Sequence, residues 1–485
     1  MASDEIPGFT EVKTLATIKK ETPIYELSDF SGGTLTFGPP RSMSSLAGGP
    51  VFVEWTHCDT IRPSLEPPES PSRDHYELLD LTEEQSRATF PSLTDDLDAT
   101  VALGPFTLTP SQDTGPLQAR IKDNQLYIIH AERKRLPVPE LFKSRTAALH
   151  QIHRALLTSP SSDPLPDTIF TLNTRDQPYG SAFQYGRPAW AAPGGSLPHL
   201  TRAFIIPPFA MWSWPLPSVG SLKHAGDRIN IIEGSEGGKG VALADKDPRV
   251  VWWGSTRFEG VHFPTLRTDL LRVVAESENG NANGSSWAEI GALEGYDVLD
   301  ESWGKEDSAT KGGGRQRSDL AFALAMMIED FCRYMYVLYT DGTSYSGRLP
   351  FHQLCNSVLI SAPIAWRQYT THLIKPMFSS DLARFSETTA IMEREQRDHP
   401  LSSLHNEGVQ MAWPIHYGPD DANAVFVSPD WSDLESTVRW LEDHPEVAKG
   451  IARRQRDMFV GEWYLSPAAE VCYWRALIRA WSSVV

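Results

Sequence analysis

The stretch Tyr334–Ile360, YMYVLYTDGTSYSGRLPFHQLCNSVLI, indicates more about the fold than any other part of the chain. Its first residues are apolar and predict a strand, which ends in a Gly-bearing turn at Asp341. Ser346–Arg348 then opens a helix, and Ser357–Ser361 predicts a second strand. Such a turn presents free backbone N–H groups to an anion. Arg348 adds a planar, permanently charged group suited to phosphate oxygens, so the stretch predicts a phosphate site.

The composition narrows the class of protein. A chain of 485 residues with 40% apolar residues and 15 Trp predicts two or three folded domains. The net charge of −18 argues against nucleic acid or an acidic membrane surface as partner. We find no apolar run of about twenty residues and therefore predict no transmembrane helix. The first residues, MASDEIPGFTEVKTLATIKKE, lack the features of a signal peptide and taken alone predict a cytosolic protein.

Strands and helices alternate along the chain after about residue 75. Strand-like segments are Gln125–His130, Asp167–Thr174, Arg249–Trp253 and Ala424–Val427, and helical ones are Glu140–Leu157 and Leu320–Phe331. This alternation predicts an α/β fold with parallel sheets covered by helices. Such sheets bind ligands at the carboxyl ends of their strands.

Two polar segments, 276–318 and 378–423, predict long mobile insertions. Beyond them, Ser432 and Glu435 match a capping box and predict the start of a helix. Ser466-Pro467 predicts the cap of the last helix.

The opening stretch resembles the nucleotide-sugar-binding core of the CAP10-domain family, the Rumi-type protein O-glucosyltransferases and fungal capsule-associated xylosyltransferases. In that family a Tyr-x-Tyr strand, a Gly turn and a Ser-x-Arg occur in this order. Arg348 falls on the arginine that binds the diphosphate. Met335 stands where the family often has Lys, and Asp341 where some members have Arg. Both departures remove positive charge, so diphosphate affinity would rest more heavily on Arg348.

The resemblance runs from about Tyr76 to the C-terminus and implies a GT-B-like fold, in which two Rossmann-like domains face a cleft. The implied parts are an irregular N-terminal extension and linker (1–75), an acceptor-side domain (76–245), a UDP-sugar-binding domain (246–455) and a closing C-terminal helix (456–485). The family works in the Golgi or endoplasmic reticulum lumen. The resemblance therefore implies the secretory pathway, in contrast to the cytosol that the first residues predict.

Sugar transfer needs a base for the acceptor hydroxyl and fixed positive groups for the leaving diphosphate. The segment Asn173–Pro178, NTRDQP, resembles the family's N-x-R-D-x-P motif, whose Asp is the catalytic base, here Asp176. Seen alone, Asp176 would be an Asp that caps a turn before Pro. Arg175 would orient Asp176 or contact substrate, and a structural salt bridge is the alternative.

The segment Trp252–Arg257, WWGSTR, is similar to the family's aromatic-Arg-Gly-Ser loop, with Trp253 in place of the Arg. A glycine there would let the backbone approach the nucleotide, and Arg257 would replace the missing charge. The simpler interpretation is a strand-end turn with surface arginines. The resemblance assigns UDP-sugar binding to Gly254, Ser255, Thr256, Arg257, Arg267, Ser346, Gly347 and Arg348.

The segment Pro207–Pro215, PPFAMWSWP, resembles a family segment near the acceptor cleft. Aromatic faces stack on sugar rings, so Trp212 and Trp214 would line the acceptor and sugar side. Core packing is the alternative.

Cysteines and acidic residues add further expectations. Family members carry a disulfide at the positions of Cys332 and Cys355, and the alternative is two buried thiols. Cys472 matches another family cysteine, for which Cys58 is the candidate partner. Asp96-Leu97-Asp98 imitates the D-x-D of metal-dependent transferases, but we expect a solvated first turn of a helix. His150 and His153 share a helix face without a third ligand, so no metal site is predicted.

These patterns lead to one main hypothesis, an inverting glycosyltransferase that moves glucose or xylose from a UDP-sugar to a hydroxyl of a protein or glycan acceptor. The UDP-sugar is the donor substrate, no cofactor is required, and a divalent metal is left open. The alternative is a catalytically degenerate family member that serves as a glycan- or protein-binding module.

Overall fold

The computed structural model describes residues 13–14, 79–108, 117–131, 139–174, 180–190, 203–212, 220–234, 241–256, 260–280, 286–292, 327–385 and 406–485. The strands are β1 (Lys13–Thr14), β2 (Leu117–Lys122), β3 (Gln125–Ala131), β4 (Thr168–Asn173), β5 (Phe183–Gln184), β6 (Arg187–Pro188), β7 (Phe204–Ile205), β8 (Asp247–Gly254), β9 (Ala288–Ala292), β10 (Tyr334–Tyr339), β11 (Val358–Ser361), β12 (Trp366–Arg367), β13 (Pro376–Phe378) and β14 (Ala424–Phe426). The helices are α1 (Glu83–Thr89), α2 (Asp95–Val101), α3 (Pro139–Leu157), α4 (Leu222–Ile232), α5 (Leu266–Gly280), α6 (Leu349–His352), α7 (Glu407–Ala412), α8 (Leu434–Asp443), α9 (Pro445–Arg456) and α10 (Pro467–Val484).

The second sheet is parallel throughout and has the strand order β13-β14-β11-β10-β8-β9. Its central strands are nearly continuous apolar runs, such as Val250–Trp253 and Val358–Ile360, and they are buried. Strands of this kind are typical of parallel sheets that helices cover on both faces. Helix α9 packs on β11 and β14, and α5 packs beside β9.

The first sheet is mixed, with the order β1-β3-β2-β4-β5-β7. Strands β1 to β4 pair antiparallel, whereas β4, β5 and β7 run parallel to one another. Asp123 and Asn124 join β2 to β3 with φ values of 52° and 59°. Two central residues with positive φ are what a tight hairpin turn requires. The expected α/β fold is therefore confirmed, with a parallel second sheet and a mixed first sheet.

The last helix returns to the first sheet. Helix α10 packs against α3, α2 and α1, and Trp474 and Trp481 lie in the same apolar cluster as strands β2 and β4. Ser466 caps the helix by accepting a hydrogen bond from the N–H of Ala469 at 3.2 Å, as predicted. No helix in the described part of the chain combines the length and apolarity needed to cross a membrane.

Two contacts tie the sheets together. Strands β6 and β12 form a separate antiparallel pair, with Trp366 opposite Pro188. A buried ion pair joins Lys246 to Glu233 at 2.7 Å, and Arg456 approaches the other oxygen of Glu233 at 2.9 Å. A buried carboxylate is tolerated when cations and hydrogen bonds compensate it in this way.

Parts of both expected insertions belong to regular structure. In the first, α5 continues to Gly280, and β9 pairs with β8 along five residues. In the second, the described residues include β13, a 3-10 helix over Ser379–Phe385, and α7. These residues form regular structure, and the mobility of the two insertions stays a prediction. The glycine at 291 has a packing reason, because a Cβ there would lie 2.2 Å from the ring of Trp253.

The predicted capping box at Ser432 is also wrong. Its hydroxyl binds the side chain of Asp430 at 2.8 Å, and α8 begins at Leu434 instead. The chain reverses at Trp431, which is fully buried with φ of 62°. Helix α8 thus begins without a side-chain cap, three residues after the buried indole.

The aspartate at position 96 is buried, not solvated as expected. Arg187 donates to its Oδ1 at 2.7 Å, and Arg367 approaches the same oxygen at 3.4 Å. Burial opposes the charged form, but the neighbouring guanidinium groups of Arg187 and Arg367 keep the pKa of Asp96 below its usual value. Asp98 instead faces solvent and pairs with Arg87.

Candidate functional site

The candidate site lies where three neighbouring strands of the second sheet end. Strand β8 ends at Gly254, β10 at Tyr339 and β11 at Ser361, and all three run in the same direction. Their carboxyl ends therefore meet at one edge of the sheet, which is where open parallel sheets bind ligands.

The buried hydroxyl of Tyr339 organises the turn after β10. It donates to Oδ1 of Asp341 at 2.9 Å and accepts from the backbone N–H of Ser346 at 3.0 Å. Gln368 also donates to it at 2.8 Å. Burial raises the pKa of Tyr339 well above its usual value, so the group stays a neutral phenol. These bonds fix the path of the chain from β10 to the Ser-Gly-Arg turn.

Arg267, near the start of α5, spans two strand ends. Its Nη1 donates to the carbonyl oxygen of Ser255 at 2.7 Å, and its Nε donates to Asp341 O at 3.0 Å and to Thr340 Oγ1 at 3.2 Å. Its Nη2 makes no hydrogen bond to any described residue. Because its contacts are with backbone and hydroxyl oxygens, no carboxylate among the described residues cancels its positive charge by a salt bridge.

Arg348, at the start of α6, reaches the same edge. Its Nη1 donates to the carbonyl oxygen of Trp253, and the guanidinium lies 6.0 Å from the centre of the Phe331 ring. Burial, with a smaller contribution from Arg267, lowers the pKa of Arg348 to about 10. The buried His352 beside it stays neutral, since burial lowers its pKa to about 3.

The two arginines share one electrostatic property. Neither Arg267 nor Arg348 forms a salt bridge with a carboxylate among the residues that the structure describes, and Arg267 acts on Arg348 as a like charge that lowers its pKa. Two partly buried cations that repel each other are stabilised when an anion binds between them. The geometry therefore suits a phosphate or diphosphate group.

A pocket opens beside these groups. It has an empty volume of about 270 Å³, which includes open solvent, and is lined by Gly260, His262, Phe263, Leu266, Arg267, Asp341, Gly342, Ala365 and Trp366. Its glycines allow a close backbone approach, because a Cβ at Gly260 would lie 2.7 Å from the carbonyl oxygen of Gly342. Arg267 is thus common to the pocket and the arginine pair.

Asp341 is the acidic group of this pocket. Its Oδ2 accepts from the N–H of Ala365 at 2.8 Å, while Oδ1 accepts from Tyr339. Burial raises its pKa to about 7, although these hydrogen bonds and the nearby Arg267 act in the opposite direction. At neutral pH the net charge of the site therefore depends on the proton on Asp341.

The structure brings together four of the sequence-predicted donor-site residues, Ser255, Arg267, Ser346 and Arg348. Gly254 lies at the same strand end, where it has a packing role. A Cβ at Gly254 would lie 2.6 Å from the ring of Trp252, so the glycine makes room for a buried indole. Thr256 is buried one residue beyond Ser255, and Gly347 is half-buried beside Arg348.

The acceptor-side residues are only partly described. Trp212 stacks on His150 of α3 at 4.9 Å, and Arg154 lies over its ring at 5.3 Å. Trp212 thus packs on α3 but remains half exposed. Both interpretations, a residue that lines the acceptor side and a packing residue, stay open. Arg175, Asp176, Trp214 and Arg257 lie outside the described residues, as does Cys58.

The first sheet contributes an edge to the same region. Asn173 and Gln184 are paired at the carboxyl ends of the parallel strands β4 and β5. Just beyond β5, the ring of Tyr185 lies 6.2 Å from that of Tyr345, and a Cβ at Gly186 would lie 3.1 Å from it. Tyr345 directly precedes the Ser-Gly-Arg turn, so the two sheets approach each other at the arginine pair.

Cys332 and Cys355 form a disulfide with an S–S distance of 1.98 Å, which confirms the expected pairing. The bridge links the chain before β10 to the chain just after α6 and so braces the segment that carries Arg348. Cys472 is a buried free thiol that accepts a hydrogen bond from Ser86 at 2.6 Å. Burial raises the pKa of this thiol, which favours the unreactive form.

Sequence reasoning did not assign a role to Tyr339, His262 or Trp366. Tyr339 was read as part of a strand, and its hydroxyl gains its role from Gln368, which is distant in sequence. Asp341 was noted only as a lost positive charge. The Asp-Gly turn could have indicated a buried carboxylate at a strand end. Nothing in the sequence indicated a role for His262 or Trp366.

A scan of the chain against protein-family models finds no match, and a search of curated proteins finds none either. Within the described residues there is no group of three or more His, Cys, Asp or Glu side chains arranged to hold a metal ion.

Proposed function

We propose that the protein is an inverting, UDP-sugar-dependent glycosyltransferase of the CAP10-domain family. The observation that carries this proposal is the pair Arg267 and Arg348 at the carboxyl edge of a parallel sheet, with no carboxylate paired to either in the described part of the chain. Fixed cations of this kind stabilise the charge that develops on a leaving diphosphate.

The proposed architecture is the two-lobed GT-B arrangement. Residues 76–245 would hold the acceptor, and residues 246–455 would hold the UDP-sugar. The approach of Tyr185 to Tyr345 supports a cleft between the two sheets. The disulfide supports passage through an oxidising compartment, in keeping with the Golgi or endoplasmic reticulum.

In the proposed reaction Asp176 takes the proton of an acceptor hydroxyl. The acceptor oxygen then bonds to the anomeric carbon as the bond from that carbon to the diphosphate oxygen breaks. The electron pair leaves with UDP, and Arg267 and Arg348 stabilise its charge. A single displacement inverts the anomeric centre. The assignment of this role to Asp176 rests on the resemblance of Asn173–Pro178 to the family motif.

The second candidate is a degenerate family member that binds glycan or protein without catalysis. It is favoured by Trp253, where the resemblance implies a charged residue. Trp253 is buried, and its ring packs over Gly291. That position therefore supplies no charge to a diphosphate. In this case UDP affinity would be weak, although the chain would be folded.

Calorimetric titration with UDP tests the proposal. We expect the wild type to bind, and Arg348→Ala to weaken binding at least tenfold, since hydrogen bonds to charged groups contribute about 1.5–3 kcal/mol. Arg272→Ala is the control, because it also removes an arginine charge from the proposed UDP-sugar-binding domain but at an exposed position. Asp176→Asn should bind UDP normally and lose sugar transfer from UDP-glucose or UDP-xylose. A folded wild type that does not bind millimolar UDP would instead favour the degenerate binding module.

A further inference from the structure

His262 presents a buried hydrogen-bond acceptor that no described residue satisfies. The imidazole is 9% exposed, and its Nε2 lies 2.9 Å from the carbonyl oxygen of Trp190. A carbonyl oxygen can only accept, so Nε2 carries the hydrogen and Nδ1 is left with a free lone pair. Nδ1 is buried and makes no hydrogen bond to the described part of the chain.

The ring is held in place and stays neutral. Trp190 packs edge-on against it at 5.0 Å, and Trp366 does so at 6.0 Å. Burial lowers the pKa of His262, so Nδ1 remains an acceptor at neutral pH. Buried polar atoms in native proteins are normally hydrogen-bonded, so an acceptor on a side chain that lines a pocket favours a ligand carrying an N–H or O–H donor.

The imidazole lines the same pocket as Arg267 and Asp341, beside the aromatic side chains of Phe263 and Trp366. We propose that His262 is a specificity-determining residue whose Nδ1 accepts a hydrogen bond from an N–H or O–H group of the bound UDP-sugar. This inference rests on the proposed function. The donor group is either the imide N3–H of uracil or a hydroxyl of the transferred sugar, since each can satisfy a neutral acceptor.

The test compares UDP, 3-methyl-UDP and UDP-glucose by calorimetry on the wild type, His262→Leu and His262→Asn. Leucine removes the acceptor, whereas the Oδ1 of asparagine can replace Nδ1. If uracil is the donor, 3-methyl-UDP should bind the wild type at least tenfold more weakly than UDP. His262→Leu should bind both about equally. If a sugar hydroxyl is the donor, His262→Leu should keep its affinity for UDP and lose at least tenfold for UDP-glucose.

Two controls separate this role from a structural one. Arg348→Ala should weaken all three ligands together and leave their ratios unchanged, because it contacts the diphosphate in the proposal. His262→Asn should restore the wild-type ratios. If the leucine variant does not fold, His262→Phe serves as the test, because it keeps a ring against Trp190 and Trp366 and removes the acceptor. Wild-type affinities and ratios in a folded His262→Leu would overturn the assignment of His262 alone. A wild type that binds no UDP would overturn the proposed function as well.

Discussion

Asp341→Asn should change how the stability of the protein depends on pH. The carboxyl is buried beside Arg267, and burial raises its pKa to about 7 from an ordinary value of 3.8. In the folded state the proton is therefore held more tightly than in the unfolded chain. The stabilisation is fully present below about pH 4 and is lost as the pH rises through about 7.

The size of the effect follows from this shift. Each pKa unit corresponds to about 1.36 kcal/mol. Between pH 5 and pH 8, most of the shift is titrated, so Asp341 should cost the wild type about 2–3 kcal/mol of unfolding free energy. Asparagine has nearly the same shape and no charge, so the variant should not suffer this loss. Other titrating groups are common to both proteins and cancel in the difference.

The assay is urea unfolding of wild type and Asp341→Asn at pH 5, 6, 7 and 8, with the disulfide intact. The stability of the variant relative to the wild type should rise by about 2–3 kcal/mol across this range. Asp420→Asn, which removes an exposed charge in the same domain, is the control. Stability profiles for wild type and Asp341→Asn that run parallel within about 0.5 kcal/mol would refute the argument, since they would mean that Asp341 is not a buried acid with a raised pKa.

Three further substitutions test the structure around the site. Cys355→Ser opens the loop to Cys332, a sequence separation of 23, and should lower the unfolding free energy by about 2–4 kcal/mol in urea. An unchanged urea midpoint would contradict the bridge. Gly254→Ala places a Cβ against the buried ring of Trp252 and should cost about 1–3 kcal/mol with a change in tryptophan fluorescence. Neither effect should occur if the strand end has room for a side chain. Ser466→Ala removes the cap of α10 and should lower the unfolding free energy by about 1 kcal/mol, whereas a neutral result would show that the cap is redundant.

Much of the fold follows from local sequence patterns. Strands β8 and β10 are apolar runs bounded by turn residues, and the sequence predicted both of them. Strand β9 was missed because its five residues lie inside a segment that is polar as a whole and was assigned to an insertion. Its glycine leaves room for the ring of Trp253 from β8, and such packing depends on residues far apart in the chain.

The buried charges show the same limit. Asp96 was expected to face solvent as the first turn of a helix, a position that favours acidic residues. Its partner Arg187 is 91 residues away in sequence, so the pattern around Asp96 contains no sign of the ion pair. Sequence patterns report the local environment of a charged residue, whereas burial is decided by the elements that pack on it.

The candidate site has some features that depend on local sequence and others that depend on residues far apart in the chain. The position of Arg348 after a strand and a glycine turn was readable from the sequence, because it depends on residues close to it in the chain. The electrostatics were not, since they arise from Arg267, from carbonyl oxygens at Ser255 and Trp253, and from a carboxyl whose pKa is set by burial. Trp253 stands where the resemblance implies a charged residue. Its buried ring packs over Gly291 at the end of β8 and supplies no charge. If the protein binds a diphosphate, most of the binding free energy must come from Arg267 and Arg348. Neither is paired with a carboxylate among the described residues. For this reason the affinity for UDP should depend strongly on each of them.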